Sequence, residues 1–196
     1  MSDDNLVPFR RRDNLDRFAN SPLVDRRYGA ADPQRLSAFE ERYGIRFSDA
    51  YRRFLLRENG LDYTLSPRAV SGLPDEERQD AMVLCDINTL FGIGNGHAYF
   101  DLEVIATEMG FHDYRLTPFA HVVGLGGDFS TLVEIGAGSY AGSIIYTDGE
   151  LFRGMPQDIL AGKSVDEAVE YFTEIGYYSP IATDFDDLIA KYSRLS

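Results

Sequence analysis

The sequence predicts an α+β fold, a central and mostly antiparallel sheet flanked by N-terminal and C-terminal helices. Three observations carry this. Apolar residues recur at helical spacing as far as Met109, the period switches to two after Pro118, and helical spacing returns with a capping box after Ser164. Helices, then strands, then helices in blocks is an α+β order, whereas βαβ alternation would announce a parallel sheet. A chain of 196 residues with 44% hydrophobic and 13% aromatic content is long enough to bury a core. On scaling grounds such a chain hides roughly 70% of its unfolded surface.

Residues 1–32 mix Arg10, Arg11, Arg12, Arg26 and Arg27 with Asp and Asn and hold no sustained apolar period, so they read as an arm or irregular lead-in. The domain is expected over 33–196. Asp32-Pro33 reads as cap and first helical residue, Leu36, Phe39, Glu40 and Tyr43 follow at helical spacing, and Gly44 stops a helix of 33–43. A second helix has Ser48 as its cap, Tyr51, Phe54, Leu55 and Glu58 as its repeat, and Asn59-Gly60 as its terminator. Residues 61–80 are polar and broken by Pro67, Gly72 and Pro74, which reads as a long surface loop, and Met82–Ile87 reads as a buried strand. Residues 91–96 form a tight connection. Leu102, Ile105, Ala106 and Met109 predict a third helix capped by Asp101 and ended by Gly110.

Strands are expected at Phe119–Leu125, Phe129–Ile135 and Ser143–Thr147, separated by glycine-rich turns. Asp148-Gly149 is a two-residue hairpin signal leading into Glu150-Leu151-Phe152. Ser164-Val165-Asp166-Glu167 is a full capping box ahead of Ala168, Val169, Phe172 and Ile175. The last helix starts at Thr183 or Asp184 with Phe185, Leu188, Ile189 and Tyr192 as its apolar stripe.

A single cysteine, Cys85, makes no internal disulfide, and with three histidines there is no Cys/His framework for structural zinc. The charged N-terminus, broken by Pro8, lacks a secretory signal, and no segment approaches a membrane span, so a soluble cytoplasmic protein is expected.

No motif carries convincing catalytic or cofactor chemistry. Gly92, Gly94 and Gly96 depart from the dinucleotide fingerprint at His97, and no phosphate-binding Lys follows. His97, His112 and His121 lack the i, i+4 spacing of paired metal ligands, although each could meet a carboxylate in space. Asp184, Asp186 and Asp187 resemble part of a calcium loop, but Ile189 and Leu195 stand where its Gly and Glu belong. There is no nucleophile elbow around Ser139 or Ser143, and Cys85 reads as a small core residue. No catalytic residue, cofactor or metal is expected. Twelve tyrosines without a tryptophan leave Tyr99, Tyr140, Tyr177 and Tyr178 as aromatic anchors for a protein partner.

The string Tyr43-Gly44-Ile45-Arg46-Phe47-Ser48-Asp49-Ala50-Tyr51-Arg52-Arg53-Phe54-Leu55-Leu56, closing on Asn59-Gly60, resembles the signature of the SMI1/KNR4 (SUKH) superfamily, with Phe47-Ser48 in place of the usual Leu-Pro. Pro118-Phe119-Ala120, Gly126-Gly127-Asp128, Leu132–Ile135 and Gly142–Tyr146 are similar to its central sheet, and Ile181–Ile189 to its final helix. The resemblance covers roughly residues 33–195. It implies a single α+β domain without catalytic residues, used mostly in bacteria as an immunity protein that neutralises a cognate toxin, often a nuclease or deaminase. The alternative it implies is a regulatory protein–protein interaction scaffold. A third reading, from the residues alone, is a small hydrolase using His97 or His121 with a carboxylate.

Charge agrees with the immunity reading. Residues 1–80 hold 14 bases and 15 acids, while residues 81–196 hold 5 and 17. The second half would be repelled by phosphate backbones, which argues against direct nucleic-acid binding, and attracted to a basic protein such as a toxin domain. The acids flanking expected turns and sheet edges, Asp101, Glu103, Glu108, Asp113, Asp128, Asp148 and Glu150, are the expected partner-binding residues.

Overall fold

Most helices begin where a short polar side chain takes up a free backbone N–H, and the computed structural model shows these caps in place. It describes residues 13–66, 70, 71, 73–107, 116–149, 151–153, 158 and 161–196. Asp13 caps α1 (Asn14–Ala19), Asp32 caps α2 (Pro33–Tyr43) and Ser48 caps α3 (Asp49–Leu55). Helix α4 (Asp75–Asp86) starts after Pro74, and α5 (Leu102–Thr107) after Asp101. Helix α6 (Val165–Glu174) carries the full Ser164–Glu167 capping box, and Asp184 caps α7 (Phe185–Leu195). Gly44 leaves α2 in the left-handed region at φ 61°, as its stop position requires.

The strands are β1 (Val24–Arg27), β2 (Leu61–Tyr63), β3 (Ile87–Leu90), β4 (Leu116–Thr117), β5 (Ala120–Gly126), β6 (Ser130–Ile135), β7 (Ile144–Asp148) and β8 (Ser179–Ala182). They form one eight-stranded sheet in the order β1-β2-β3-β5-β6-β7-β8, with β4 paired to β5 and every pairing antiparallel. The α+β expectation is met. Strand β6 lies mid-sheet and every residue along it is buried. Both of its faces are therefore covered, and Glu134 is forced into the interior. Phe185 on α7 packs on Tyr51 and Phe54 of α3, at ring distances of 4.7 and 4.9 Å, which joins the last helix to the family string.

Three local expectations change. Met82–Ile87 is not a strand: residues to Asp86 are helical, and the chain passes directly into β3. Ala81 and Leu84 are buried three residues apart while Met82 is 60% exposed, a helical pattern that so short an apolar run does not separate from a strand. The same helix and β2 occupy much of the expected 61–80 loop. Second, Asp148-Gly149 does not turn a hairpin. Neither residue has the positive φ that such a turn needs, Leu151–Arg153 is a 3-10 turn with Phe152 buried, and β7 takes β8 as its outer neighbour instead. Third, residues 13–32, the described part of the expected irregular lead-in, hold α1 and β1. Leu15, Phe18 and Ala19 make a buried face too short to show a period, and Phe18 stacks on Tyr192 of α7 at 5.0 Å.

Candidate partner-binding face

The expected partner-binding acids are dispersed. Asp101 is only 3% exposed, so the expectation that it lies on the surface is corrected: its carboxylate accepts from the N–H groups of Gly94 (2.8 Å), Gly96 (3.2 Å) and Glu103 (2.9 Å). It is the fastener of the 91–96 turn. Asn59 holds the other side of that turn, accepting from Ile93 N–H and donating to the Ile93 carbonyl. Gly92 passes so near that a Cβ there would meet the Asn59 carbonyl at 2.0 Å. Glu103 pairs with Arg35, and both line a cleft of about 590 Å³ between α2 and α5. Asp128 lies in the 3-10 turn after β5, and Asp148, half-buried, ends β7. Glu108, Asp113 and Glu150 lie outside the described residues.

The acids that the fold does gather are on α6 and α7. Asp166, Glu170 and Glu174 follow one another at intervals of four, so they form a stripe along one face of α6. Such like-charge neighbours cost roughly 0.2–0.5 kcal/mol per pair, and Glu174, in the last turn, faces the negative end of the helix dipole. Asp166 accepts from Ser139 N–H at 2.8 Å, and Glu170 lies 3.5 Å from the Tyr140 hydroxyl. The i, i+4, i+8 spacing of these acids is legible in the sequence, whereas their place beside a cleft is not.

Beside this stripe opens a cleft of about 690 Å³ between α6, β8 and α7. Its floor is apolar, made by Ile145, Val169, Ile181 and Ala182, with Tyr140 and Pro180 at its sides. Glu170, Glu174 and Asp187 also line it, against one base among the described lining residues, Lys191. The Lys191 ammonium donates to the Ile181 carbonyl, and Thr183 N–H donates to Asp187 at 3.1 Å. Of the tyrosines expected as anchors, Tyr140 borders the cleft, Tyr99 and Tyr177 are exposed, and Tyr178 is buried.

The residues with chemical potential do structural work. His121 and Glu134 are both at 0% exposure, with His121 Nε2 2.6 Å from Glu134 Oε2 and the Phe47 ring edge-on to the imidazole at 4.8 Å. Ser48 donates to the same carboxylate through its hydroxyl and, at 3.3 Å, through its N–H. A proline at position 48 would supply neither donor, so the Phe47-Ser48 departure is matched to the buried glutamate behind it. His97 Nδ1 accepts from the N–H groups of Tyr99 and Phe100 and so holds its own loop. Burial pushes the Cys85 thiol upward, away from the reactive thiolate. Among the described residues no cluster of His, Cys, Asp or Glu could hold a metal ion, and no helix is long and apolar enough to cross a membrane.

Comparison with known families decides the lineage, because the SMI1 / KNR4 family (SUKH-1) matches residues 30–191. The chain belongs to that family. A search of curated proteins finds no match to it. Membership in SUKH-1 is consistent with a protein-binding role, and the resemblance carried by the Tyr43–Gly60 string is thereby explained. Within the SUKH-1 match lie both clefts, α6, β8 and most of α7.

Proposed function

We propose that this SUKH-1 chain is a non-enzymatic immunity protein that binds and neutralises a cognate bacterial toxin through the acidic face of its C-terminal half, in the cytoplasm where that toxin would act. The observation that carries the reading is an excess of negative charge: residues 165–195 hold seven acids against two bases, and among the described ion pairs only Asp186 of these acids is matched, by Arg53. A toxin that degrades or edits nucleic acid needs a basic cleft to hold phosphates. An acidic protein that covers such a cleft gains both encounter rate and selectivity.

Growth rescue tests the proposal. The gene next to this one is expressed as its C-terminal toxin-like domain, with and without this chain, and survival is scored. Rescue accompanied by a stable complex that weakens with salt is expected. Killing that is equal in both cultures overturns the reading, and pull-down of a regulatory partner then becomes the better course.

A further inference from the structure

We propose that the cleft between α6, β8 and α7 is the seat of the partner's anchor: a segment of a basic protein that inserts one apolar side chain between flanking Lys or Arg residues. The inference rests on the protein-binding reading above and adds the place and the chemistry. A volume of about 690 Å³ is within the range of sites that take a side chain or small ligand, and the floor of Ile145, Val169 and Ile181 is apolar, with the Thr173 hydroxyl as one polar group in the lining. The rim sets the rest of the occupant. Glu170, Glu174 and Asp187 are exposed or half-buried, and the ammonium of Lys191 is engaged by the Ile181 carbonyl.

The mode of docking also follows. β8 is an edge strand, and an open edge invites an added strand. Here Pro180 has no N–H, Lys191 covers the Ile181 carbonyl, and Asp187 takes the Thr183 N–H. With these groups missing or engaged, this face favours side chains over an added strand. A second copy of the chain is a poor occupant, since each copy brings a net charge of −13.

The test uses the full chain and three synthetic peptides: one with a single Leu between two Lys-Lys pairs, one with Ser in place of the Leu, and one with Glu in place of each Lys. Binding is followed by methyl NMR at Val169 and Ile181 and by peptide anisotropy. The Lys/Leu peptide is expected to shift those methyls and to bind at least about tenfold more tightly than either control. The double variant Glu170→Lys, Glu174→Lys should weaken it about tenfold while leaving the urea midpoint unlowered. Shifts elsewhere, no shifts, or equal binding by either control overturn the proposal. The chain's own Phe9-Arg10-Arg11-Arg12 has similar chemistry. If replacing the three arginines by Ser strengthens peptide binding tenfold, the occupant is this chain's own N-terminus and the foreign-partner proposal falls. Failure here is separable from failure of the immunity reading. Rescue by the native chain and equally by the double variant removes the cleft and keeps immunity, whereas no rescue by the native chain removes immunity and leaves the peptide result to stand alone.

Discussion

The cleft between α2 and α5 and the cleft between α6, β8 and α7 are alike in size, about 590 and 690 Å³, and treat charge in opposite ways. In the first, Arg35 and Arg42 stand with Asp101 and Glu103; Arg35 pairs with Glu103, and Asp101 is consumed by backbone N–H groups. In the second, three carboxylates share the lining with one lysine that serves a carbonyl. The same contrast runs through the chain. Arg27 grips buried Glu58, Arg52 pairs with Glu40, and Arg57 bridges Asp13 and Asp16. An acid in the first region is part of the fold's own bonding. On the α6 stripe Asp166 holds Ser139 N–H, while Glu170 and Glu174 add to an outward field at a small cost in stability, which is the pattern expected of a surface kept for a partner.

Replacing acids along this gradient breaks or sharpens the comparison. The largest loss is expected from Glu134→Leu, which strands the buried His121 and the Ser48 donors: about 3 kcal/mol by urea denaturation. Glu58→Ala removes two of the three side-chain acceptors of Arg27 (2.7 and 2.8 Å), leaving Asn20, and is expected to cost about 2 kcal/mol, with faster hydrogen exchange at β1. Glu103→Ala, a partly exposed pair, should cost below about 1 kcal/mol. Glu174→Lys should reverse the sign and raise stability by about 0.5 kcal/mol, because it relieves Glu170 and suits the helix end. A loss above about 1 kcal/mol there would place Glu174 among the structural acids and erase the contrast.

A smaller effect is set by pH on the partnered side. Burial, and then the hydrogen bond it donates to Asp62 (2.5 Å), push the Tyr28 phenol from its usual 10.0 up to about 12. The folded state thus holds this proton more tightly than the unfolded chain. Its contribution is fully present below pH 10 and is lost as pH rises through about 12. Tyr28→Phe should flatten the alkaline part of the stability profile over that window, and an unchanged slope would separate Tyr28 from Asp62.

Much of the fold is legible because its signals are local. The caps at Asp32, Ser48, Ser164 and Asp184 stand where the sequence puts them, since a cap needs only a short polar side chain next to its own helix. The end of α4 is hidden because a six-residue stretch with five apolar side chains, Met82–Ile87, satisfies a strand and a helical turn alike. The hairpin failed because β8, some thirty residues further on, takes the edge that a local turn would have used. The candidate site was half legible. The acidic bias and the i, i+4, i+8 stripe can be read from residues 166–174, but the apolar floor joins Ile145 of β7, Val169 of α6 and Ile181 of β8, which meet only in space.

By itself, the sequence determined the blocks of helix and strand, the family string, and a second half with far more acids than bases. Tertiary structure alone decided which carboxylates are neutralised. Arg27 and Glu58 are 31 positions apart, Arg35 and Glu103 are 68, and Ser48 and Glu134 are 86. A charge belongs to a residue wherever it lies, but its compensation depends on distance through space and fades within about 8–10 Å in salt. Only folding sets those distances, and only folding could separate the acids that hold this protein together from those it presents to a partner.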